Sequence, residues 1–137
     1  MAAEGSHDLA AALTAAGRRA VLVRPSGAFV RLDTNLWTLD GDSDRDHQQL
    51  LAAILAEAPI EGVIYQWPTV GDLNHSVQEL GERPLMRALR LARDLSDLAA
   101  PPRLWLITQA ASTAGGATPT SPFPALLWGF GRALFLE

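Results

Sequence analysis

Short, unbroken apolar runs alternate along this chain with longer stretches of helical periodicity, and no other feature constrains the fold as strongly. The three clearest runs are Ala20–Val23, Val63–Tyr65 and Leu104–Ile107. Runs of this length without polar alternation are typical of strands buried on both faces of a parallel sheet. Because predicted helices separate the runs, the pattern indicates βαβ units. The expected fold class is α/β, with a parallel sheet and helices on both faces.

The helix and strand boundaries are predicted from the apolar spacing and from the Gly and Pro residues that interrupt it. Helices are predicted over Asp8–Ala16, Asp44–Ala56, Leu73–Leu80, Leu85–Leu98 and Pro124–Leu136. Strands are predicted over Arg19–Val23, Ala28–Leu32, Asn35–Leu39, Glu61–Trp67 and Leu104–Ile107. The apolar face of the fourth helix is predicted to comprise Leu85, Leu89, Ala92 and Leu95. Gly17 is expected to end the first helix, and Pro84 to lie in the first turn of the fourth. We expect one domain over residues 1–137.

The composition excludes several classes of function. Cysteine is absent, so the chain has no disulfide, no Cys-ligated metal and no thiol nucleophile. All 11 basic residues are arginines, which excludes a lysine Schiff base, a P-loop lysine and a Tyr–Lys catalytic pair. With a net charge of −4, the chain lacks the excess of basic residues that binding to nucleic acid or to an anionic membrane requires. Since no signal peptide and no apolar segment of about 18 residues is found, a cytoplasmic location is expected.

The acidic segment Asp40–Asp46 is the strongest metal candidate in the sequence. Its alternating aspartates are similar to the start of an EF-hand loop, which needs Gly at its sixth position and Glu at its twelfth. Neither the register that starts at Asp40 nor the one that starts at Asp42 has these residues. We therefore interpret the segment as a solvated loop in which Asp44 or Asp46 caps the following helix.

The histidines and serines give no catalytic pattern. His7, His47 and His75 are far apart and lack metal-ligand spacing. The triplet Ser6-His7-Asp8 cannot form a relay because adjacent side chains point in different directions. Ser26 lacks the flanking glycines of a nucleophile elbow.

The glycine pairs do not form a nucleotide site. Neither Gly115-Gly116 nor Gly129-Phe130-Gly131 has the spacing of the Gly-rich turn that binds a dinucleotide. Gly129 and Gly131 are expected to allow close helix packing, and Trp105 and Trp128 to be largely buried. We predict no catalytic, cofactor-binding or metal-binding residue in this chain.

Two segments resemble one protein family. One is Gly62–Trp67, and the other is Trp105–Thr108 followed, after a loop, by Ala125–Leu134, which contains Trp-Gly-x-Gly-Arg. Both are similar to the structural subdomain of the ketoreductase in modular type I polyketide synthases, a family of bacterial polyketide biosynthesis. The resemblance implies a Rossmann-like, short-chain dehydrogenase-like fold that has lost catalysis. In that family a second half binds NADPH and carries the reducing residues, and the first half supports it.

The resemblance also implies where the reducing residues of a catalytic half would lie. The serine position falls on Thr108–Ala110, and the tyrosine position falls on Leu126 or Leu127. Leucine cannot transfer a proton, and the one tyrosine, Tyr65, lies on another strand. A proton donor to the substrate carbonyl is therefore expected to be missing, and Phe130 or Gly131 stands four residues beyond the tyrosine position.

Compared with the family, the chain is expected to be truncated at both ends. It starts at the turn after the family's first strand, and the family continues past Glu137. The first strand would lie between the strands of Val21 and Val63. We expect either that a neighbouring segment, such as Phe29–Leu32, takes its place, or that the open strand edges pair with another protein, which is the favoured alternative.

The leading interpretation is a non-catalytic structural half of a polyketide synthase ketoreductase, without enzyme activity or a cofactor of its own. Its partners would be the catalytic subdomain, which reduces β-ketoacyl chains on an acyl carrier protein, and other synthase domains. No nucleic acid and no membrane is expected as a partner. Two alternatives remain: a free-standing NADPH-dependent reductase, which would need a Gly-rich turn and a Tyr–Lys pair, and a small Rossmann-like adaptor or docking protein.

Overall fold

The computed structural model describes residues 4–66, 76, 78–108 and 122–136. The chain divides into two compact units, Met1–Pro59 and Ile60–Glu137. Both units contain helices and strands, so the α/β class is confirmed. The expectation of one domain over residues 1–137 stays a prediction.

The first unit contains two helices and three strands among its described residues. They are α1 (Glu4–Ala15), β1 (Leu22–Pro25), β2 (Val30–Asp33), β3 (Leu36–Leu39) and α2 (Asp44–Glu57). The sheet order is β1-β3-β2, with β1 parallel and β2 antiparallel to β3. The expectation of a purely parallel sheet is therefore wrong in this unit. A two-residue turn at Thr34 and Asn35 folds β3 back along β2 as a hairpin.

Gly17 ends α1, as predicted. Its φ of 75° lies in the left-handed region, where a side chain with a Cβ would be sterically strained. The Gly17 N–H donates to the Thr14 carbonyl over 3.0 Å, and the Arg18 N–H donates to the Leu13 carbonyl over 2.9 Å. These two bonds define a Schellman motif, which satisfies carbonyl groups that the helix end leaves open.

The core of the first unit lies on one face of β3. Trp37 and Leu39, two residues apart, are 7% and 4% exposed, while the residues that alternate with them are half-buried. Leu50 from α2 completes this buried cluster. The ring of Phe29 packs against Trp37 with 5.5 Å between the ring centroids. Helix α2 therefore covers this face of the sheet through Leu50, with Ala53 and Ile54 packed beside it.

The second unit contains a parallel pair of strands followed in each case by helix. Its described elements are β4 (Gly62–Gln66), a π-helical turn (Gln78–Glu82), α3 (Arg83–Ser96), β5 (Arg103–Ile107) and α4 (Pro124–Leu136). The two strands pair in parallel from Gly62 opposite Arg103 to Gln66 opposite Ile107. The predicted β4–α3–β5 succession is thus confirmed. The predicted helix over Leu73–Leu80 falls largely outside the described residues, and its last part, Gln78–Leu80, belongs to the π-helical turn.

The two faces of this strand pair differ in their surroundings. Tyr65 and Leu106, which lie opposite each other, pack against Ala88 of α3 and Leu127 of α4. Both described helices of this unit therefore contact the same face. On the other face Trp105 and Ile107 are 47% and 38% exposed. The expectations that this strand is buried on both faces and that Trp105 is largely buried are both wrong.

The buried face of α3 is rotated about the helix axis relative to the predicted face, by about the angle between two consecutive residues. Its buried residues are Pro84, Ala88 and Leu95, and Leu89, predicted to be buried, is 45% exposed. The spacing of four and seven residues places the three buried side chains on one stripe. Pro84 lies in the first turn of the helix, as predicted, where its missing N–H costs no helical hydrogen bond.

Four of the five strands have an open edge within the described part of the chain. β1 and β2 each pair with β3 alone, and β4 and β5 pair only with each other. Phe29–Leu32 does not take the place beside β1, because Val30–Asp33 pairs with β3; the neighbouring segment that pairs with β1 is β3, Leu36–Leu39. No helix among the described residues is long and apolar enough to cross a bilayer.

Candidate functional site

The carboxyl ends of β4 and β5 form the edge at which a parallel sheet usually binds a ligand. Gln66 ends β4, and Thr108 follows the last residue of β5. The indole N–H of Trp128, from α4, donates to the Thr108 hydroxyl over 2.9 Å. An indole N–H donates hydrogen bonds but does not ionise at neutral pH. This pair therefore fixes α4 on the end of β5 and supplies no acid or base.

Trp128 itself is 55% exposed, so the expectation that it is largely buried is wrong. One edge of the ring is held by Thr108 while much of the indole faces solvent. Nothing in the spacing of the sequence predicted this hydrogen bond, because it joins residues that are 20 positions apart.

The positions that the ketoreductase resemblance assigns to proton transfer are occupied by packing residues. Leu127 is 1% exposed and is the largest fully buried side chain of the described residues. Phe130 is partly buried and packs against the cluster that Leu127 forms with Ala88. Leu126 is 44% exposed. Gln109 and Ala110, at the end of the expected serine position, lie outside the described residues.

Tyr65 is the one tyrosine of the chain, and its hydroxyl is used in packing. It donates to the carbonyl oxygen of Pro84 over 2.7 Å. Burial raises the pKa of Tyr65 to about 12, against a smaller lowering effect from the Arg87 guanidinium. At neutral pH the hydroxyl therefore stays protonated and tied to α3, which suits a structural group better than a proton donor.

The two glycines of Gly129-Phe130-Gly131 differ in their surroundings. A Cβ on Gly131 would lie 3.2 Å from Cδ1 of Leu106, so this glycine allows α4 to approach β5 closely, as predicted. A Cβ on Gly129 would meet nothing within 4 Å. The expectation of close packing at Gly129 is therefore wrong, because the residue lies on the exposed side of α4. Gly115-Gly116 lies outside the described residues.

The acidic segment Asp40–Asp46 forms a helix cap. The cap residue is Ser43, whose hydroxyl accepts from the Asp46 N–H over 3.2 Å. Asp46 turns its carboxylate back to accept from the Asp40 N–H over 3.0 Å. The interpretation as a capped loop is confirmed, but Ser43 holds the cap position rather than Asp44 or Asp46. Both aspartates lie in the first turn of α2, where the helix dipole favours negative charge.

The other chemical candidates do not come together. His7 contacts the guanidinium of Arg24, His47 lies on α2, and His75 falls outside the described residues. The Ser26 hydroxyl accepts from the Ala28 N–H over 3.2 Å and so stabilises a turn. No group of three or more His, Asp or Glu residues suited to a metal ion occurs in the part of the chain that the structure describes.

A charged cluster that the sequence analysis missed joins the end of α2 to the β2–β3 hairpin. Glu57 accepts from Arg19 and, over 2.7 Å, from Arg31. Arg31 also donates to the Thr34 carbonyl over 2.9 Å and lies 5.0 Å above the Trp37 ring centroid. These hydrogen bonds, first from Arg19 and then from Arg31, lower the pKa of Glu57. The two arginines are thus engaged within the unit.

No family model, no curated protein and no solved structure matches this chain. The similarity to the ketoreductase subdomain therefore depends on the sequence segments Gly62–Trp67, Trp105–Thr108 and Ala125–Leu134 alone.

Proposed function

We propose that this chain is the non-catalytic structural half of a modular polyketide synthase ketoreductase. It would support the NADPH-dependent half that reduces β-ketoacyl chains on an acyl carrier protein. The observation that carries the proposal is the packing of α4. The helix that bears Trp-Gly-x-Gly-Arg follows a parallel strand, as in a Rossmann-like fold, and directs Leu127 into the core at the position expected for a catalytic tyrosine.

The open strand edges support a protein partner. Gly62–Gln66, which forms β4, contains no charged residue and no proline, the residues that usually protect an edge strand. One face of β4 is covered by the cluster around Leu127. A two-stranded sheet is marginal in isolation, so a further strand from a partner would stabilise it. This is the role that we assign to the catalytic half of the ketoreductase.

The outward side of α4 supports the same conclusion. Leu126 and Trp128 are 44% and 55% exposed, and Arg132 is the one charged residue of the helix. A helix that is apolar on all sides is normally covered on all sides. Exposed apolar patches on this scale mark protein interaction sites. We therefore place the partner against Leu126, Trp128 and the open space beside Gly129.

The experiment expresses the chain together with the ketoreductase catalytic half encoded beside it and measures complex formation by size-exclusion chromatography. Gly129→Glu adds a charge to the outward side of α4, where a Cβ meets nothing within 4 Å. We expect this variant to fold as the parent does and to lose the complex. Gly27→Glu is the matched control, because Gly27 also has open space around its Cβ position.

Loss of the complex with Gly129→Glu but not with Gly27→Glu supports the proposal. A complex that tolerates both substitutions contradicts the assignment of α4. A gene without synthase neighbours favours the second candidate, a Rossmann-like adaptor, for which the exposed apolar side of α4 is also a suitable binding surface.

A further inference from the structure

We propose that the outward face of α3 binds an acidic, amphipathic helix of a partner protein. The helix carries four of the 11 arginines of the chain and one acidic residue, Asp94. It is therefore a basic element in a chain whose net charge is −4. The positive charge of α3 within a negatively charged chain is the first observation that points to an acidic partner.

Two large apolar side chains are exposed on the same helix. Met86 and Leu89 are 49% and 45% exposed, although α3 buries Ala88 and Leu95 completely or nearly so. Met86 and Leu89 are three residues apart, and Arg93 follows four residues after Leu89. At the helical period these three residues share one side of α3, away from the buried stripe. A methionine at such a surface adapts to the shape of a partner.

Arg93 forms an ion pair of 3.5 Å with Asp94, the one acidic residue of α3, and three further arginines leave the helix with an excess of positive charge. The side chain of Asp94 is 9% exposed, whereas that of Arg93 is 62% exposed, so the guanidinium remains accessible to a partner. Arg83 is exposed at the other end of α3. Arg83 and Arg93 are separated by roughly 15 Å along the helix axis, which is about three turns. We call the surface of Arg83, Met86, Leu89 and Arg93 the α3 face.

The combination of charge and apolar exposure selects the class of partner. Nucleic acid binding depends mainly on phosphate contacts and makes no use of an adjacent exposed apolar pair such as Met86 and Leu89. An amphipathic helix presents apolar residues at the spacing of Met86 and Leu89, and acidic residues beside them can reach Arg83 and Arg93. The inference is independent of the proposed ketoreductase role, since it uses a different surface.

The probe is a fluorescein-labelled synthetic helical peptide of about four turns, with leucines three residues apart and flanking glutamates. Its binding to the full chain is measured by fluorescence anisotropy at low and at high salt. We expect saturable binding at low salt that weakens at least tenfold at high salt. A second peptide, in which lysine replaces each glutamate, is expected not to bind.

Variants of the chain locate the site. Arg83→Glu with Arg93→Glu, and separately Met86→Ser with Leu89→Ser, are each expected to weaken binding at least tenfold. The matched control combines Arg45→Glu with Arg103→Glu, two exposed arginines outside α3, and changes the net charge by the same amount. Circular dichroism establishes that each variant remains folded.

Three results would overturn the proposal. The first is no saturable binding of the acidic peptide. The second is equal weakening by the control pair, which would show an effect of net charge alone. The third is binding of a single-stranded oligonucleotide that is as tight as that of the peptide and independent of Met86 and Leu89, which would identify a polyanion site.

Discussion

The Tyr65 hydroxyl donates a hydrogen bond of 2.7 Å to the Pro84 carbonyl, which joins β4 to the first turn of α3. Because the chain has one tyrosine and neither lysine nor cysteine, Tyr65 is its one side chain that titrates between about pH 9 and pH 12. The hydrogen bond and the burial of Tyr65 can therefore be followed without interference from other groups.

The first prediction concerns this titration. Burial raises the pKa of Tyr65 from its ordinary value near 10 to about 12. Tyrosinate absorbance in the folded chain should therefore appear about two pH units higher than in urea. A group whose folded pKa is raised contributes its stability below the unfolded pKa and loses it as the pH rises through the folded one. The free energy of unfolding should thus fall between about pH 10 and pH 12.

Tyr65→Phe is the control for this prediction. It removes the hydroxyl and should cost about 0.5–1.5 kcal/mol of stability at pH 7, which is typical of a lost hydrogen bond. The free energy of unfolding of the variant should then be flat with pH in the alkaline range. A tyrosinate midpoint near pH 10 in the folded chain would contradict the buried position of Tyr65.

The second prediction concerns the contact between Gly62 and Trp105 across the strand pair. A Cβ on Gly62 would lie 2.1 Å from Cζ3 of the Trp105 ring, so the indole occupies the space that a side chain would need. Gly62→Ala should therefore displace the indole and cost about 1–3 kcal/mol, as overpacking does. Urea unfolding followed by tryptophan fluorescence measures the loss.

A double-mutant cycle separates this contact from the effect of alanine on the strand. In a Trp105→Ala background the ring is absent, and Gly62→Ala should be neutral or slightly stabilising. Equal costs in both backgrounds would show that the indole does not lie over Gly62.

The third prediction compares the two glycines of α4. Gly131→Leu should cost about 1–3 kcal/mol, because the new side chain meets the Leu106 methyl that lies 3.2 Å from the Cβ position. Gly129→Leu should be tolerated, since nothing lies within 4 Å, and Gly129→Ala should stabilise the chain by about 0.5–1 kcal/mol through helix propensity. Thermal unfolding of the three variants tests this order. A reversed order would place Gly129 rather than Gly131 against β5.

The fourth prediction concerns Glu57, which accepts hydrogen bonds from Arg19 and Arg31. These bonds lower its pKa, so its contribution to stability is present above the unfolded pKa and is lost as the pH falls through the folded one. Glu57→Gln should lower the melting temperature at pH 7. The difference from the parent should shrink in acid and in high salt. A difference that is constant with pH would contradict the ion-pair account.

The positions of most helices and strands could be predicted from the sequence. A run of apolar residues, or their recurrence at helical spacing, is a local property of the chain. The predicted Asp44–Ala56 differs by one residue from α2, and Leu104–Ile107 differs by one residue from β5. The direction of β2 was missed. Its alternation of apolar and polar residues and the two-residue turn after it are hairpin signals, but they were outweighed by the parallel pattern of the other strands.

Solvent exposure could not be predicted in the same way. In an unbroken apolar run both faces of the strand carry apolar side chains. The sequence of Leu104–Ile107 therefore does not predict which residues face helices, as Leu106 does, and which face solvent, as Trp105 does. The hydrogen bond between Trp128 and Thr108 was missed because it depends on how α4 returns over β5. The absence of an acid at the expected tyrosine position, Leu126 or Leu127, depends on the family resemblance and stays a prediction.

The central claim is that this chain supports a reductase half and does not itself reduce the substrate. Its most direct test is NADPH consumption with a β-ketoacyl thioester, measured for the chain alone, for the catalytic half of a modular polyketide synthase ketoreductase, and for the two together. Calorimetry measures NADPH binding to the chain. We predict no turnover and no saturable NADPH heat for the chain alone, and a rate for the pair well above that of the catalytic half by itself. Substrate-dependent NADPH oxidation by the chain alone, or a low-micromolar NADPH dissociation constant, would contradict the account.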